Sequence, residues 1–490
     1  MRKKFFRALL IITGILLVIL LINTFRLTPV QKQVEPVSKK EISNNAVTNL
    51  SKGVQFATNS YQEDSMLDTV AFKGFRRFLE QTYPLVHGTL QRERVNEYGL
   101  LYKWQGKRSD LRPVILIGHY DVVPVEAAAE KEWQQKPYSG LVKDGYIWGR
   151  GTMDDKLSVL GLLESVEMLL KENYSPERTV FLAFGHDEEI GGEKGAKSIA
   201  ALLKSRNVKA ELVLDEGHII GRGLVPGIER DVGMIGTAEK GFMSVELSVD
   251  MEGGHSSMPA KETSIEVLAR AVVKLRDNQF DKRFSEPIND FFRSVGPEMP
   301  FLQKMVISNR WLFKGILLNM YSKTNSGNAL VRTTTAPTIF NSGIKENVLP
   351  AKAVAVLNFR ILPGETTAGV LDHLKEVIAD ERVKIRTLPF FSEPSPVSPV
   401  NNGAYSAIEK TIRQTFPSAI VAPNLVIGAT DSHYYTVVSD NVYRFLPLVT
   451  NSKDLERFHG IDERIAVEDY KDCIRFYYQL IRNCCGEKLQ

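Results

Sequence analysis

The sequence predicts an α/β domain with a mostly parallel sheet, interrupted by an inserted α+β domain and preceded by a membrane-spanning helix. Three patterns predict it. First, short apolar runs alternate with stretches of helical spacing. Pro113-Val114-Ile115-Leu116-Ile117 reads as a buried strand, as do Arg178 to Phe184 and Ala210 to Leu214. Between them, Leu157, Leu160, Leu163, Val166 and Leu170 mark a helix over Asp155 to Glu172. Second, the pattern changes near Thr237. Phe242, Ser244, Glu246 and Ser248 alternate with Met243, Val245, Leu247 and Val249, which predicts a half-buried antiparallel strand. A helix from about Ser264 to Asp277 and a strand from Ala353 to Leu362 complete this second block. Third, Ala8 to Phe25 carries no charge and follows Arg2, Lys3, Lys4 and Arg7.

An uncharged run of about 18 residues is long enough to cross a bilayer, and its basic flank predicts a cytoplasmic N-terminus. The exit, Ile22-Asn23-Thr24-Phe25-Arg26-Leu27, lacks the small residues of a cleavage site. An uncleaved signal anchor over residues 1–27 is therefore expected, with the rest of the chain extracytoplasmic; the alternative is a cleaved signal, which would make the protein secreted. Residues 28–60 are polar and read as a tether. Residues 61–238 and 364–490 are expected to form the two parts of the α/β domain, and 239–363 the insertion. Asp281 to Asn328 has no regular pattern. A final helix is expected near Glu468 to Arg482.

The 490 residues allow two to four domains. A hydrophobic share of 43% and a charged share of 24% are those of a globular protein, and a net charge of +4 gives no reason to propose nucleic acid as a partner. The three cysteines, Cys473, Cys484 and Cys485, are too few for a disulfide framework and lack zinc-knuckle spacing.

The residues that carry chemistry stand at strand ends, where α/β sheets gather ligands. Gly118-His119-Tyr120-Asp121 follows one strand, and Gly185-His186-Asp187-Glu188-Glu189 another. Three successive carboxylates after Val180-Phe181-Leu182-Ala183-Phe184 are costly unless cations or protons compensate them. Asp215-Glu216-Gly217 follows a third strand. In Gly149-Arg150-Gly151-Thr152-Met153-Asp154-Asp155, one aspartate suffices to cap the following helix, which leaves the other for a metal. His459 lies in Arg457-Phe458-His459-Gly460-Ile461-Asp462-Glu463-Arg464. This mixture of imidazole and carboxylate donors suits zinc, with cobalt or manganese as substitutes.

These motifs resemble the co-catalytic zinc metallopeptidases of clan MH, the family of aminoacylase, carboxypeptidase G and carboxypeptidase S. The resemblance runs from about residue 60 to the C-terminus. It is strongest to the branch of carboxypeptidase S and the secreted N-acyl-aromatic-L-amino acid amidohydrolases, which shares a long middle insertion and often an N-terminal membrane segment. It implies a mixed-sheet zinc-hydrolase domain with an inserted lid of the dimerisation type, two zinc ions per subunit, and hydrolysis of an amide bond beside a free carboxylate. His119, Asp154, Glu189 and His459 are implied as metal ligands, with Asp154 bridging. Asp121 is implied to orient His119, and Glu188 to act as general base. The fourth motif leaves a register of one residue open: Asp215 is preferred as ligand, with Glu216 the competitor. Gly253-Gly254-His255-Ser256-Ser257 is similar to the motif whose histidine stabilises the oxyanion, which places His255 in that role. Asn347, in Lys345-Glu346-Asn347-Val348-Leu349-Pro350, is similar to a substrate-contacting asparagine, and Arg360 to the residue holding the substrate carboxylate. Gly428-Ala429-Thr430-Asp431-Ser432-His433 departs from the family by ending in histidine where arginine is frequent, which bears on substrate preference.

The expected substrates are short peptides or N-acyl amino acids. In some relatives the lid histidine acts across a subunit interface, so the resemblance is compatible with a homodimer. The rival readings are a di-zinc aminopeptidase, which would want an acidic pocket in place of Arg360, and a membrane-tethered binding protein with a degenerate site. The second is disfavoured because no ligand and no base is missing.

Overall fold

A computed structural model describes residues 2–486. Its body is a mixed ten-stranded sheet. Val180–Gly185, Val114–His119, Leu212–Asp215 and Val442–Arg444 run parallel and adjacent. Antiparallel Gly99–Trp104 and Gln91–Val95 extend one edge. On the other side lies Val232–Glu239, which also pairs in parallel with Ile420–Val426. The central strands are buried on both faces, which is why they read as unbroken apolar runs. Lys156–Lys171 packs on one face with nearly every residue buried, and Val467–Cys484 crosses it so closely that a Cβ on Gly161 would lie 3.3 Å from Cys473 Sγ. All three cysteines are free and buried.

The stretch read as a tether is part of the core. Asn44–Val54 is a helix capped by Ser43, and its Ala46, Val47, Leu50 and Val54 are buried against the body. These residues lie on one helical face, so a segment that is polar on average still buries a stripe. Ahead of it, the Gln31 amide donates to Ser294 O and Val421 O, at 3.3 and 3.0 Å. The helix Arg2–Arg26 contains an 18-residue stretch of mean hydropathy 2.8 that is almost entirely exposed, long and apolar enough to cross a membrane.

The second sheet has four antiparallel strands, ordered Thr334–Ser342, Lys352–Ile361, Gly241–Asp250 and Val383–Ser392. Met243, Val245, Leu247 and Val249 face a small core formed with Ser264–Asp277 and Thr367–Ile378, as the period-2 pattern predicts. Thr263 and Glu266 form a capping box at the start of the first helix. This lid differs from the expected 239–363 at both its middle and its end. It keeps the chain until Ser392, because Val383–Ser392 pairs with Gly241–Asp250. The patternless stretch leaves the lid: Glu286–Val295 packs Ile288, Phe291, Phe292 and Val295 into the body core. Pairing between strands some 140 residues apart leaves no local mark in the sequence, so the boundary could not be read there.

Candidate active site

Three adjacent parallel strands end at one place. His119 closes Val114–His119, Glu188 and Glu189 form the tight turn after Val180–Gly185, and Glu216 follows Leu212–Asp215. Two loops reach over these ends, carrying Asp154 and His459. His119 Nε2 lies 3.0 Å from Asp154 Oδ1 and 3.5 Å from Glu216 Oε1. On the other side, His459 Nε2 lies 3.0 Å from Asp154 Oδ2 and 3.2 Å from Glu189 Oε2. Asp154 thus turns one oxygen to each half of the cluster. His119–Asp154–Glu216 and Asp154–Glu189–His459 each bring three donor atoms within 4.8 Å of one another, and the two groups share Asp154.

The two successive aspartates divide their work. The Asp154–Asp155 peptide is cis. Asp155 Oδ1 accepts from Ser158 N at 3.3 Å, capping the helix, while Asp154 faces the cluster. Asp121, fully buried, lies 3.2 Å from His119 Nδ1 through Oδ1. Its oxygens also accept from Glu188 N and Glu189 N, at 3.2 and 3.1 Å, and from Ser60 Oγ at 2.6 Å. One carboxylate therefore fixes both the ring of His119 and the turn that presents the two glutamates.

Of the two candidates in the fourth motif, the structure brings Glu216 and not Asp215 into the cluster. Asp215 is still in the strand, buried away from the grouped donors, and its Oδ1 accepts from Glu216 N at 2.9 Å. Glu216 is the first residue past the strand, ahead of Gly217 at φ +130°, and so reaches His119. A one-residue step in an extended chain reverses the side-chain direction, which is why the two neighbours face different ways.

The electrostatics describe a site short of positive charge. Burial, opposed in part by His119, pushes Glu188 well above the usual carboxylate range, with Glu189, Asp431 and Glu216 adding to the effect. Burial and Asp154 raise Glu189 to about 7. Hydrogen bonds to Asp154 and Glu189 raise His459 to about 10. Burial disfavours a charge on His119, yet Asp121, Asp154 and Glu216 outweigh it and raise the imidazole well above its ordinary value. Four carboxylates face two imidazoles, and the buried Glu189 Oε1 has no hydrogen-bond partner among the described residues. These residues fit divalent cations: the donors are nitrogen and oxygen, and the excess negative charge is what cations would neutralise.

A buried ion pair that the sequence did not single out holds the loops. Arg150 Nη1 donates to Glu463 Oε2 at 2.6 Å, and both side chains are buried. Glu463 Oε1 accepts from Gly151 N and Met153 N, at 3.0 and 2.8 Å. Arg150 Nη2 donates to His459 O and Gly460 O, at 3.1 and 3.0 Å. The pair ties the Asp154 loop to the His459 loop. Both residues sit inside motifs legible in the sequence, and the only signal there was a charged residue set among glycines.

The lid residues are placed less uniformly. Arg360 is half-buried, with its guanidinium 4.8 Å from the centre of the Phe242 ring. Burial lowers its pKa, while the charges of Glu239 and Glu188 support its cationic form. Phe242 packs on Phe390 at 5.3 Å, and Phe390 meets Gly191, the residue that ends the Glu188–Glu189 turn at φ +107°. His255 and Asn347 lie together on a short exposed ribbon, Gly254–His255 against Val348–Leu349, and the hydrogen bonds of His255 go to Ser257. The structure therefore brings Arg360 toward the cluster and leaves His255 and Asn347 apart from it. His433 Nδ1 contacts Thr430 O at 2.6 Å and lies 3.5 Å from the buried Glu239.

A sequence profile of Peptidase family M20/M25/M40 matches residues 115–483. "Probable carboxypeptidase S-like 2" of Dictyostelium discoideum is 42% identical, over 98% of this chain and 94% of its own length. Human "N-fatty-acyl-amino acid synthase/hydrolase PM20D1" is 40% identical, over 89% of this chain and 86% of its own. The fold is similar to that of the M20 family metallo-carboxypeptidase Sso-CP2 from Sulfolobus solfataricus, with a TM-score of 0.67 at 19% identity, covering 90% of this chain and 99% of the other. A cluster of metal-ligating type at the strand ends, the matched profile and relatives aligned over nearly the whole chain lead to one conclusion: the protein belongs to the M20 peptidase family of metal-dependent hydrolases that act on amide bonds.

Proposed function

We propose that this enzyme is a two-zinc amidohydrolase that releases an amino acid from a short peptide or an N-acyl amino acid, working outside the cytoplasm on a membrane anchor. The observation that carries the reading is Asp154, which offers one oxygen to each of two donor groups. His119 and Glu216 would hold one cation, Glu189 and His459 the other, and Asp154 both. Two cations held this way supply Lewis-acid polarisation of the amide carbonyl and acidify the attacking water.

The chain's own residues do the rest. Glu188 takes the water's proton and returns it to the leaving nitrogen. Asp121 keeps His119 in the tautomer whose Nε2 faces the cluster. Arg360 holds the substrate carboxylate through paired hydrogen bonds, and Asn347 contacts the substrate. Phe242 and Phe390 give the site an apolar wall beside Arg360, which suits an acyl or aromatic group. His255 stabilises the developing oxyanion. It stands exposed on the lid, so it reaches the carbonyl by lid movement or from a second copy of the chain. A cationic Arg360 beside the site disfavours an aminopeptidase, which must accommodate a free ammonium.

The test is hydrolysis of a panel of N-acyl amino acids and dipeptides by the full chain in detergent, before and after chelation and zinc restoration. Zinc-restored cleavage of either class supports the reading and names the substrate. Cleavage of neither by folded, zinc-loaded protein would sink it. Preference for substrates with a free amine and a blocked carboxyl would favour the aminopeptidase.

A further inference from the structure

The patternless stretch also contains two consecutive helices, Phe301–Ser308 and Arg310–Tyr321, of which the first, with the linking Asn309, stands against the last turns of the Arg2–Arg26 helix. The contact is specific. Asn23 Nδ2 donates to Asn309 Oδ1 at 2.8 Å, Asn309 Nδ2 donates to Leu20 O at 3.1 Å, and the Thr24 and Ser308 hydroxyls lie 3.2 Å apart. Phe25 packs on Phe301 with ring centres 6.1 Å apart. Trp311 Nε1 donates to the same Asn309 Oδ1, at 3.3 Å. The apolar span therefore does not end in a loose tether: its final turns are held by Phe301–Ser308 and by Asn309, the link to the second helix.

The pair turns its inner side chains, Ile307, Leu317 and Leu318, inward. Outward it presents Phe301 and Leu302 on one helix, and Trp311, Leu312, Ile316 and Met320 on the next. On the second helix these fall on one face at helical spacing, shared only with Asn319, which accepts from Lys282 Nζ at 2.6 Å, and Gly315. An apolar face this large on a soluble surface marks an interaction site. Charge adds a second signal. From Met299 to Lys345 the sequence contains no aspartate or glutamate, while Lys304, Arg310, Lys314 and Lys323 lie on or beside the two helices. An apolar face that carries tryptophan, on two helices whose only charged side chains are cationic, suits the headgroup layer of a bilayer.

We propose that Phe301–Ser308 and Arg310–Tyr321 lie in the outer headgroup region of the membrane, their apolar face immersed, and seat the catalytic body on the lipid surface next to the emerging span. The occupant is lipid because the face continues from the end of the span itself, where bilayer is the neighbour. The inference rests on the anchor reading above and goes beyond it, since an anchor alone leaves the body free to stand away from the surface. Seated this way, the enzyme meets amphiphilic substrates where they partition.

Trp311 reports on this directly. It is 61% exposed, whereas Trp104, Trp133 and Trp148 are 4%, 8% and 5% exposed. The full chain would be reconstituted into vesicles of phosphatidylcholine and phosphatidylglycerol, with and without bromine on the acyl chains. Bromolipid is expected to quench a fraction of the emission that Trp311→Phe removes, and Ile316→Glu is expected to reduce that quenching. Protein that floats with the vesicles yet shows no bromolipid quenching of Trp311 overturns the proposal and leaves the anchor standing. Protein that does not float with vesicles at all overturns both. Trp311 shielded from bromolipid and from aqueous iodide, in a particle of twice the monomer mass, assigns the face to a second copy and also overturns the lipid reading.

Discussion

The ten-stranded body and the four-stranded lid use their sheets in opposite ways. The body buries its central strands on both faces and opens only at their carboxyl ends, where His119, Glu188, Glu189 and Glu216 converge. The lid buries one face of its sheet under two helices and leaves Thr334–Ser342 largely exposed. Charge that would be unstable alone is concentrated at the ends of the fully buried strands, a scaffold suited to holding donors at fixed spacing. The groups proposed to bind substrate sit on the lid, which meets the body through the Phe390–Gly191 contact. The division predicts that body residues set the chemical step and lid residues set recognition.

The sharpest way to break this division is Glu188→Gln. It keeps the shape of the turn and removes the proton acceptor, so kcat should fall by about 10²–10⁴-fold with little change in KM. A comparable rise in KM would move Glu188 to a binding role. Arg360→Met tests the lid side. Loss of a charged hydrogen-bonded contact of about 1.5–3 kcal/mol corresponds to a drop of roughly 10- to 150-fold in kcat/KM, and it should appear mainly in KM. Substrates with an amidated carboxyl should lose little further. If their rates also fall in proportion, Arg360 is not the carboxylate's partner.

Glu463→Gln sharpens the account of the body. The buried Arg150–Glu463 pair ties the Asp154 loop to the His459 loop. Metal affinity, followed by competition with a chelator, should weaken by about 10–100-fold. At saturating zinc most of kcat should return, which a change that unfolded the loops would not allow. The smallest effect expected is from Gly191→Ala. A Cβ there would lie 2.8 Å from the Phe390 ring, at a φ of +107° that L residues rarely adopt. A stability loss of about 1–3 kcal/mol is expected from the backbone strain, with a few-fold rise in KM as the lid contact shifts. Thermal melting and KM measured on the same preparation would check both.

The degree to which the molecule was legible in its sequence differs between regions for a physical reason. Strands buried on both faces, such as Val114–His119, and the helix after Asp155 are apolar enough to declare themselves, and the chemistry-bearing residues follow them directly. The Asn44–Val54 helix was hidden because only four of its side chains carry the burial in an otherwise polar stretch. Arg150 and Glu463 were in view as letters but not as a pair, since burial and partnership are properties of the packed chain.

By itself the sequence determined the alternation of strand and helix, the half-buried first strand of the lid, the apolar N-terminal span and the donor residues at strand ends. These depend on short-range periodicity and on residue chemistry, which local sequence carries. Only the tertiary structure decided that Glu216 and not Asp215 joins the cluster, that Asp155 caps the helix, that the lid extends to Ser392, and that Phe301–Ser308 stands against the span. Each of those depends on which distant segment a residue meets and on the direction its side chain takes there. Local periodicity encodes neither.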